Sequence, residues 1–356
     1  MVELPFPADE FSTSLLDWYG LQGRSLPWRD TRDPYRIWLS EIMLQQTTVA
    51  AVIDYYQRFL DAFPTLDTLA AATQEDVINL WAGLGYYSRA RNLHRAAQLI
   101  ATDYAGHFPE DADRLQQLPG IGRSTAGAIA ALAFEQRAAI LDGNVRRVLC
   151  RLCALQQPPR STASEKQLWW WSEQLTPAKR VHDYTQAIMD LGATVCVPRQ
   201  PLCEQCPVAS ICQARQLGLQ HELPLKQVKK KIPVRKQIAL MVGKDGYFLV
   251  RRRPSEGFLG GLWEFPNIGL AGDENAAQKL SQLLQDYAIK AEPALLGQIK
   301  HVYSHFRLEL SLYRVEVEGL QVAEGSNCWY NYDELNGLAL HGAHKKALKV
   351  LKKVGE

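Results

Sequence analysis

Up to about residue 215 the order of apolar and polar positions reads as helix almost throughout. Helix-forming residues fill Leu93 to Ile100 and Ala126 to Leu132, and no clear strand alternation precedes residue 232. Asp33-Pro34 marks a helix start, a capping residue followed by proline at the first helical position. From Gln213 the pattern loosens, and Lys226-Gln227-Val228-Lys229-Lys230-Lys231 reads as a solvated, charged connector. Beyond it, Gln237 to Val242, the turn Lys244-Asp245-Gly246 and Tyr247 to Val250 predict a β-hairpin, and Leu308 to Val317 a further strand. The expectation is an all-α domain over residues 1–215, a linker over 216–231 and an α+β domain over 232–356, with no internal repeat.

A chain of 356 residues suits about two domains. Its net charge of +2 excludes a polycation that coats nucleic acid, so any such contact must come from local clusters and backbone amides. No apolar run reaches the roughly 18 residues of a membrane span, and Met1-Val2-Glu3-Leu4-Pro5 lacks a secretory pattern. A cytoplasmic monomer is expected, in which grouped cysteines read as metal ligands rather than disulfides.

The most informative segment is Leu118-Pro119-Gly120-Ile121-Gly122, followed by Ser124 to Ile129. Two glycines two apart predict a tight turn between helices, leaving Gly120 and Gly122 beside unpaired N–H groups that can seat a phosphate. Cys196, Cys203, Cys206 and Cys212 follow a C-x6-C-x2-C-x5-C spacing. With one short pair rather than two, that spacing favours a [4Fe–4S] cluster over structural zinc. Arg199, between the first two ligands, could reach a phosphate. Cys150, Cys153 and Cys328 read as core residues.

Two acids stand in different settings. Glu41 has Ile37, Trp38, Leu44 and Gln45 as its helical neighbours, a largely apolar face that should raise its pKa and suit a general acid. Asp142 follows Ala138 to Leu141 and precedes a helix whose N–H groups should favour its ionised form. Taken singly, a buried structural acid and a plain N-cap account for them. Taken together they match a proton donor and an anion that stabilises an oxocarbenium-like sugar.

These segments, with Trp38-Leu39-Ser40-Glu41-Ile42-Met43-Leu44-Gln45-Gln46-Thr47, resemble the helix-hairpin-helix DNA glycosylases with an iron–sulfur loop, and within them the adenine-specific MutY type. The resemblance implies a base-excision enzyme at the bacterial nucleoid. It would remove adenine mispaired with 8-oxoguanine or guanine in double-stranded DNA. Glu41 matches the general acid, Asp142 the carboxylate that stabilises the sugar cation, and Asn144 its helper. Ser124 stands where glycosylase/lyase relatives carry a Schiff-base lysine, which implies a monofunctional enzyme. Gln46 and Tyr86 match positions that wedge into the base stack, and Trp28 and Arg29 match pocket residues. Gly260 to Pro266 resembles part of a Nudix fold, but Ala276 to Leu284 lacks the glutamates of a working hydrolase. That domain would instead read the lesion through Tyr303, Ser304 and His305, with tyrosine in place of the family's phenylalanine. Three alternatives remain: a pyrimidine-lesion glycosylase/lyase, a non-catalytic iron–sulfur DNA sensor, and nucleotide hydrolysis by the distal domain. The Trp169-Trp170-Trp171 run is expected to pack a helix.

Overall fold

The computed structural model describes residues 1–226, 232–254, 257–272, 274–303, 305–318 and 327–354. Ser304 and most of the lysine-rich connector lie outside the described residues. The chain divides into two units, Met1–Ala72 with Asn92–Lys229, and Thr73–Arg91 with Lys230–Glu356.

Along the chain to residue 216 the helices are α1 Ala8–Gln22, α2 Pro34–Leu44, α3 Val49–Ala62, α4 Leu66–Ala71, α5 Gln74–Leu80 and α6 Ser88–Asp103. They continue as α7 Ala112–Leu115, α8 Arg123–Phe134, α9 Gly143–Leu152, α10 Thr162–Leu175, α11 Val181–Asp190 and α12 Gln213–Gln216. Among the described residues no strand precedes Val234, as the sequence predicts. None of the described helices is long and apolar enough to cross a membrane.

Helix α2 starts as the Asp33-Pro34 pair predicts, with the Asp33 carboxylate accepting from the Tyr35 N–H at 2.9 Å. Its buried face, Ile37, Trp38, Ile42 and Met43, packs on α8 and α3. Helix α8 is nearly all small residues where it is buried, from Ala126 to Ala131. A Cβ at Gly127 would stand 2.3 Å from the Ala139 carbonyl oxygen, so the extended segment before Asp142 lies directly on this helix. The turn ahead of α8 follows a helix, α7, that is only a single turn long. Gly120 sits there at φ +80°. After α11 the chain widens into a π-helical turn, Leu191–Val195.

The second unit holds a mixed sheet of strands β1 Val234–Lys244, β2 Tyr247–Arg252, β3 Trp263–Glu264, β4 Asn267–Leu270, β5 Ala294–Val302, β6 Arg307–Glu316 and β7 Asn327–Asn331. The main order is β3-β2-β1-β6-β5, with β4 on β1 and β7 on β2. The predicted hairpin is β1–β2, closed by Asp245 and Gly246 at positive φ, and β6 is the predicted Leu308–Val317 strand. Along β1, Ala239 and Met241 join one core while Ile238, Leu240 and Val242 join another, so both faces of the sheet are covered. Helix α13, Ala276–Asp286, packs on the β1–β4 side. Helix α14 is Tyr332–Gly337, and α15, Gly342–Val354, lies on β5 and β6.

Candidate active site

The first unit contains a cavity of about 770 Å³ whose walls include Trp28, Arg29, Glu41, Gln46, Gly120, Gly122, Ser124, Asp142 and Asn144. The two acids singled out in the sequence, about a hundred residues apart, therefore face one space. Glu41 comes from α2, and Asp142 caps α9.

Burial pushes the Glu41 carboxyl up, the nearby Asp142 charge adds to the rise and Arg29 subtracts from it, bringing it to about 7. Burial also raises Asp142, which corrects the expectation that its helix N-terminus would leave it lowered. The donors pull against that rise without overcoming it. The Val145 N–H donates to Asp142 at 2.7 Å, the Asn144 amide donates at 3.2 Å, and the Arg147 charge lies nearby. Among the described residues the Glu41 carboxyl receives no hydrogen bond. Both carboxyls are therefore raised by burial, and only Asp142 is supplied with hydrogen-bond donors that favour its charge.

Ser124 serves as a brace. Its Oγ accepts from the Leu141 N–H at 2.9 Å and holds the residue before Asp142 against α8. Gly122 caps α8 without any side-chain hydrogen bond, leaving the first amides of that helix open to an anion. Gly120 permits the turn: a Cβ there would stand 2.8 Å from Asn92 Cβ. Trp28 is buried edge-on against Tyr56, with ring centroids 5.3 Å apart. Gln46 follows α2 at φ +58°.

Two features escaped the sequence reading. Asp190 is fully buried and grips Arg29 through contacts of 2.6 and 2.5 Å, and Arg24 Nε donates to it at 2.8 Å. Burial works against its charge, but the two guanidiniums outweigh burial and hold the carboxyl below its ordinary value. Arg147 donates to Asn144 Oδ1 at 2.8 Å, to the Gly192 carbonyl at 2.5 Å and to the Cys196 carbonyl at 2.8 Å, joining Asn144 to the cysteine loop. The spacing of three from Asn144 on a helix was the available signal.

Cys196, Cys203, Cys206 and Cys212 line one small cavity. No group of three or more ligating side chains among the described residues closes round a single ion. Burial pushes the Cys206 thiol up to about 12, so a thiolate at Cys206 needs the positive charge of bound metal. Arg151 fastens this loop by donating to the Val197 carbonyl at 2.7 Å and the Leu223 carbonyl at 2.9 Å. Arg199 is exposed, and Cys150 is buried in the core.

In the second unit, Tyr86 is 45% exposed at φ +49°, with the Arg89 guanidinium 5.6 Å from its ring centre. The Tyr303 ring packs on Phe258, His301 and Phe306, and its hydroxyl shares a 2.9 Å hydrogen bond with His341 Nδ1. His305 is exposed. Glu264 is bonded by Arg251 at 2.9 Å and Arg253 at 2.6 Å. Helix α13 carries Gln278, Lys279, Ser281 and Gln282 and no glutamate.

Residues 39–174 match the HhH-GPD superfamily of base excision DNA repair proteins, residues 196–212 the iron–sulfur binding domain of endonuclease III, and residues 237–350 the NUDIX domain. The chain is 38% identical to the adenine DNA glycosylase of Homo sapiens, over 96% of this chain and 73% of that protein. It is 34% identical to the adenine DNA glycosylase of Buchnera aphidicola subsp. Baizongia pistaciae, over 96% of this chain and 97% of that one. Among solved structures, a thermostable thymine-DNA glycosylase aligns with TM-score 0.55 and 30% identity, over 59% of this chain and 97% of its own.

Proposed function

The chain belongs to the adenine DNA glycosylases, base-excision enzymes that hydrolyse an N-glycosyl bond, and from that premise we propose roles for its acids, its serine and its second unit. Glu41 protonates the leaving adenine, and Asp142, aided by Asn144, stabilises the positive charge that develops on the deoxyribose. The observation that carries this reading is the shared cavity, in which a carboxyl raised to about 7 faces one supplied with donors. A group titrating near neutrality can hold its proton before the reaction and release it during base departure.

Ser124 offers no amine and is occupied with the Leu141 N–H, which supports hydrolysis without strand cleavage. The open amides at Gly120 and Gly122 suit the phosphate backbone, Trp28 and Arg29 suit the extruded base, and Gln46 and Tyr86 suit the gap it leaves. The chain binds a [4Fe–4S] cluster, held by Cys196, Cys203, Cys206 and Cys212. The cluster cross-links the loop that carries Arg199. The second unit, lacking hydrolase carboxylates, recognises 8-oxoguanine opposite the target adenine through Tyr303, Ser304 and His305.

The test is single-turnover release of free adenine from a duplex containing 8-oxoguanine opposite adenine. Glu41→Gln and Asp142→Asn are each expected to cut the rate by about 10²–10³ or more while retaining binding. Wild-type-like turnover in either variant refutes its assigned role.

A further inference from the structure

The tryptophan run is only partly core. Trp171 is buried, with its Nε1 donating to the Val2 carbonyl at 3.0 Å, but Trp169 and Trp170 are half-buried. Successive residues on a helix turn by about 100°, so one ring of the run faces inward while its neighbours border a second cavity of about 820 Å³. That groove lies between the start of α8 and the face of α10. Its cations are Arg123, Arg146, Arg160 and Lys166, against the carboxylates Glu165 and Glu173.

The cations are not equally engaged. Arg146 holds Glu165 through two contacts, and Arg123 pairs with Glu173 while its guanidinium lies 3.8 Å from the Trp169 ring centre. Arg160 and Lys166 are exposed and form no hydrogen bond among the described residues, although the Arg160 charge acts on Glu165. The groove thus combines two exposed cations, of which Arg160 shares the Glu165 charge with Arg146, with an accessible indole beside a guanidinium-capped one. Trp169, Arg123 and Glu165 also line the catalytic cavity, so the groove continues from it.

We infer that this groove binds the nucleotides of the adenine-bearing strand next to the extruded one, with phosphates on Arg160 and Lys166 and a base against Trp170. The inference rests on the glycosylase reading of the neighbouring cavity. Extruding one nucleotide removes a stacking partner from its neighbours, and an indole face replaces that loss without reading sequence. An acidic peptide would satisfy the cations but would leave the indoles without a matching face.

The test uses the full-length, cluster-loaded enzyme and a duplex carrying 8-oxoguanine opposite adenine, titrated under single-turnover conditions at several salt concentrations. Arg160→Ala with Lys166→Ala should weaken half-saturation about tenfold or more. It should also flatten the slope of log affinity against log salt by about two, one for each phosphate. The rate at saturation should stay unchanged. Trp170→Ala should weaken binding about fivefold or more at every salt concentration, leaving the slope intact. Arg160→Lys with Lys166→Arg should restore the slope, which a folding defect would not permit. Adenine release by wild type with unchanged slope and affinity in the alanine variants overturns this inference alone. No release by wild type overturns the glycosylase reading itself. A poly-glutamate peptide that binds wild type but not the double variant, with DNA binding unaffected, assigns the groove to an acidic partner instead.

Discussion

Placing Glu41 against the cavity should make the enzyme less stable at the pH where it works. Its carboxyl rises from an ordinary 4.5 to about 7, which corresponds to about 3 kcal/mol between the two protonation states. The native state prefers the protonated form. The associated stability is therefore complete below about pH 4.5 and is lost as pH climbs towards 7. Glu41→Gln removes this dependence. A glutamine amide buried without partners carries its own cost of about 1–3 kcal/mol, but that cost does not vary with pH. The slope is thus the informative quantity. Melting the cluster-loaded protein at a series of pH values should show the variant gaining on wild type by about 2.5 kcal/mol between pH 5 and pH 8. The melting temperature would shift by roughly 5–10 °C, taking about 2–4 °C per kcal/mol for a unit of this size. A difference between the two proteins that stays flat across this range refutes the desolvated-acid argument.

Three further outcomes follow from the same geometry. The single-turnover rate of adenine release should fall about tenfold per pH unit above 7 as Glu41 loses its proton, and a rate rising through that range contradicts its role as the donor. Gly120→Ala imposes φ +80° on a residue with a Cβ and crowds Asn92. It should cost about 1–3 kcal/mol in thermal or denaturant unfolding and weaken duplex binding by filter or anisotropy assay. His305→Ala should narrow the preference for 8-oxoguanine over guanine opposite adenine, with the saturated rate on the better substrate retained. A preference equal to that of wild type removes His305 from lesion reading.

The helical first part and the β1–β2 hairpin were readable because each depends on local pattern. Asp33-Pro34 caps α2, and Asp245-Gly246 turns between two apolar runs. The acids were readable as types, Glu41 from its apolar helical neighbours and Asp142 from its capping position. Their shared cavity was not, because it arises where α2 packs on α8. Asp142 also shows the limit of local reasoning. Its donors are where the sequence implies, but the depth of burial sets the net direction, and burial is a tertiary property. Asp190 and Arg147 were missed for the same reason, since their partners lie far along the chain or on backbone carbonyls. The segment 73–91, which groups with the second unit, carries no compositional mark that separates it from its helical surroundings.

Gly127 carries no side chain that could take part in the chemistry, yet that missing side chain decides how near the polypeptide before Asp142 can come. A methyl group there would have to displace main-chain atoms rather than a pliable side chain, and the displacement would reach the acid three residues further on. Such a protein could fold, load its metal and grip its substrate while turning over poorly. A survey of damaging alleles would then score an interior glycine as though it belonged to the reaction centre.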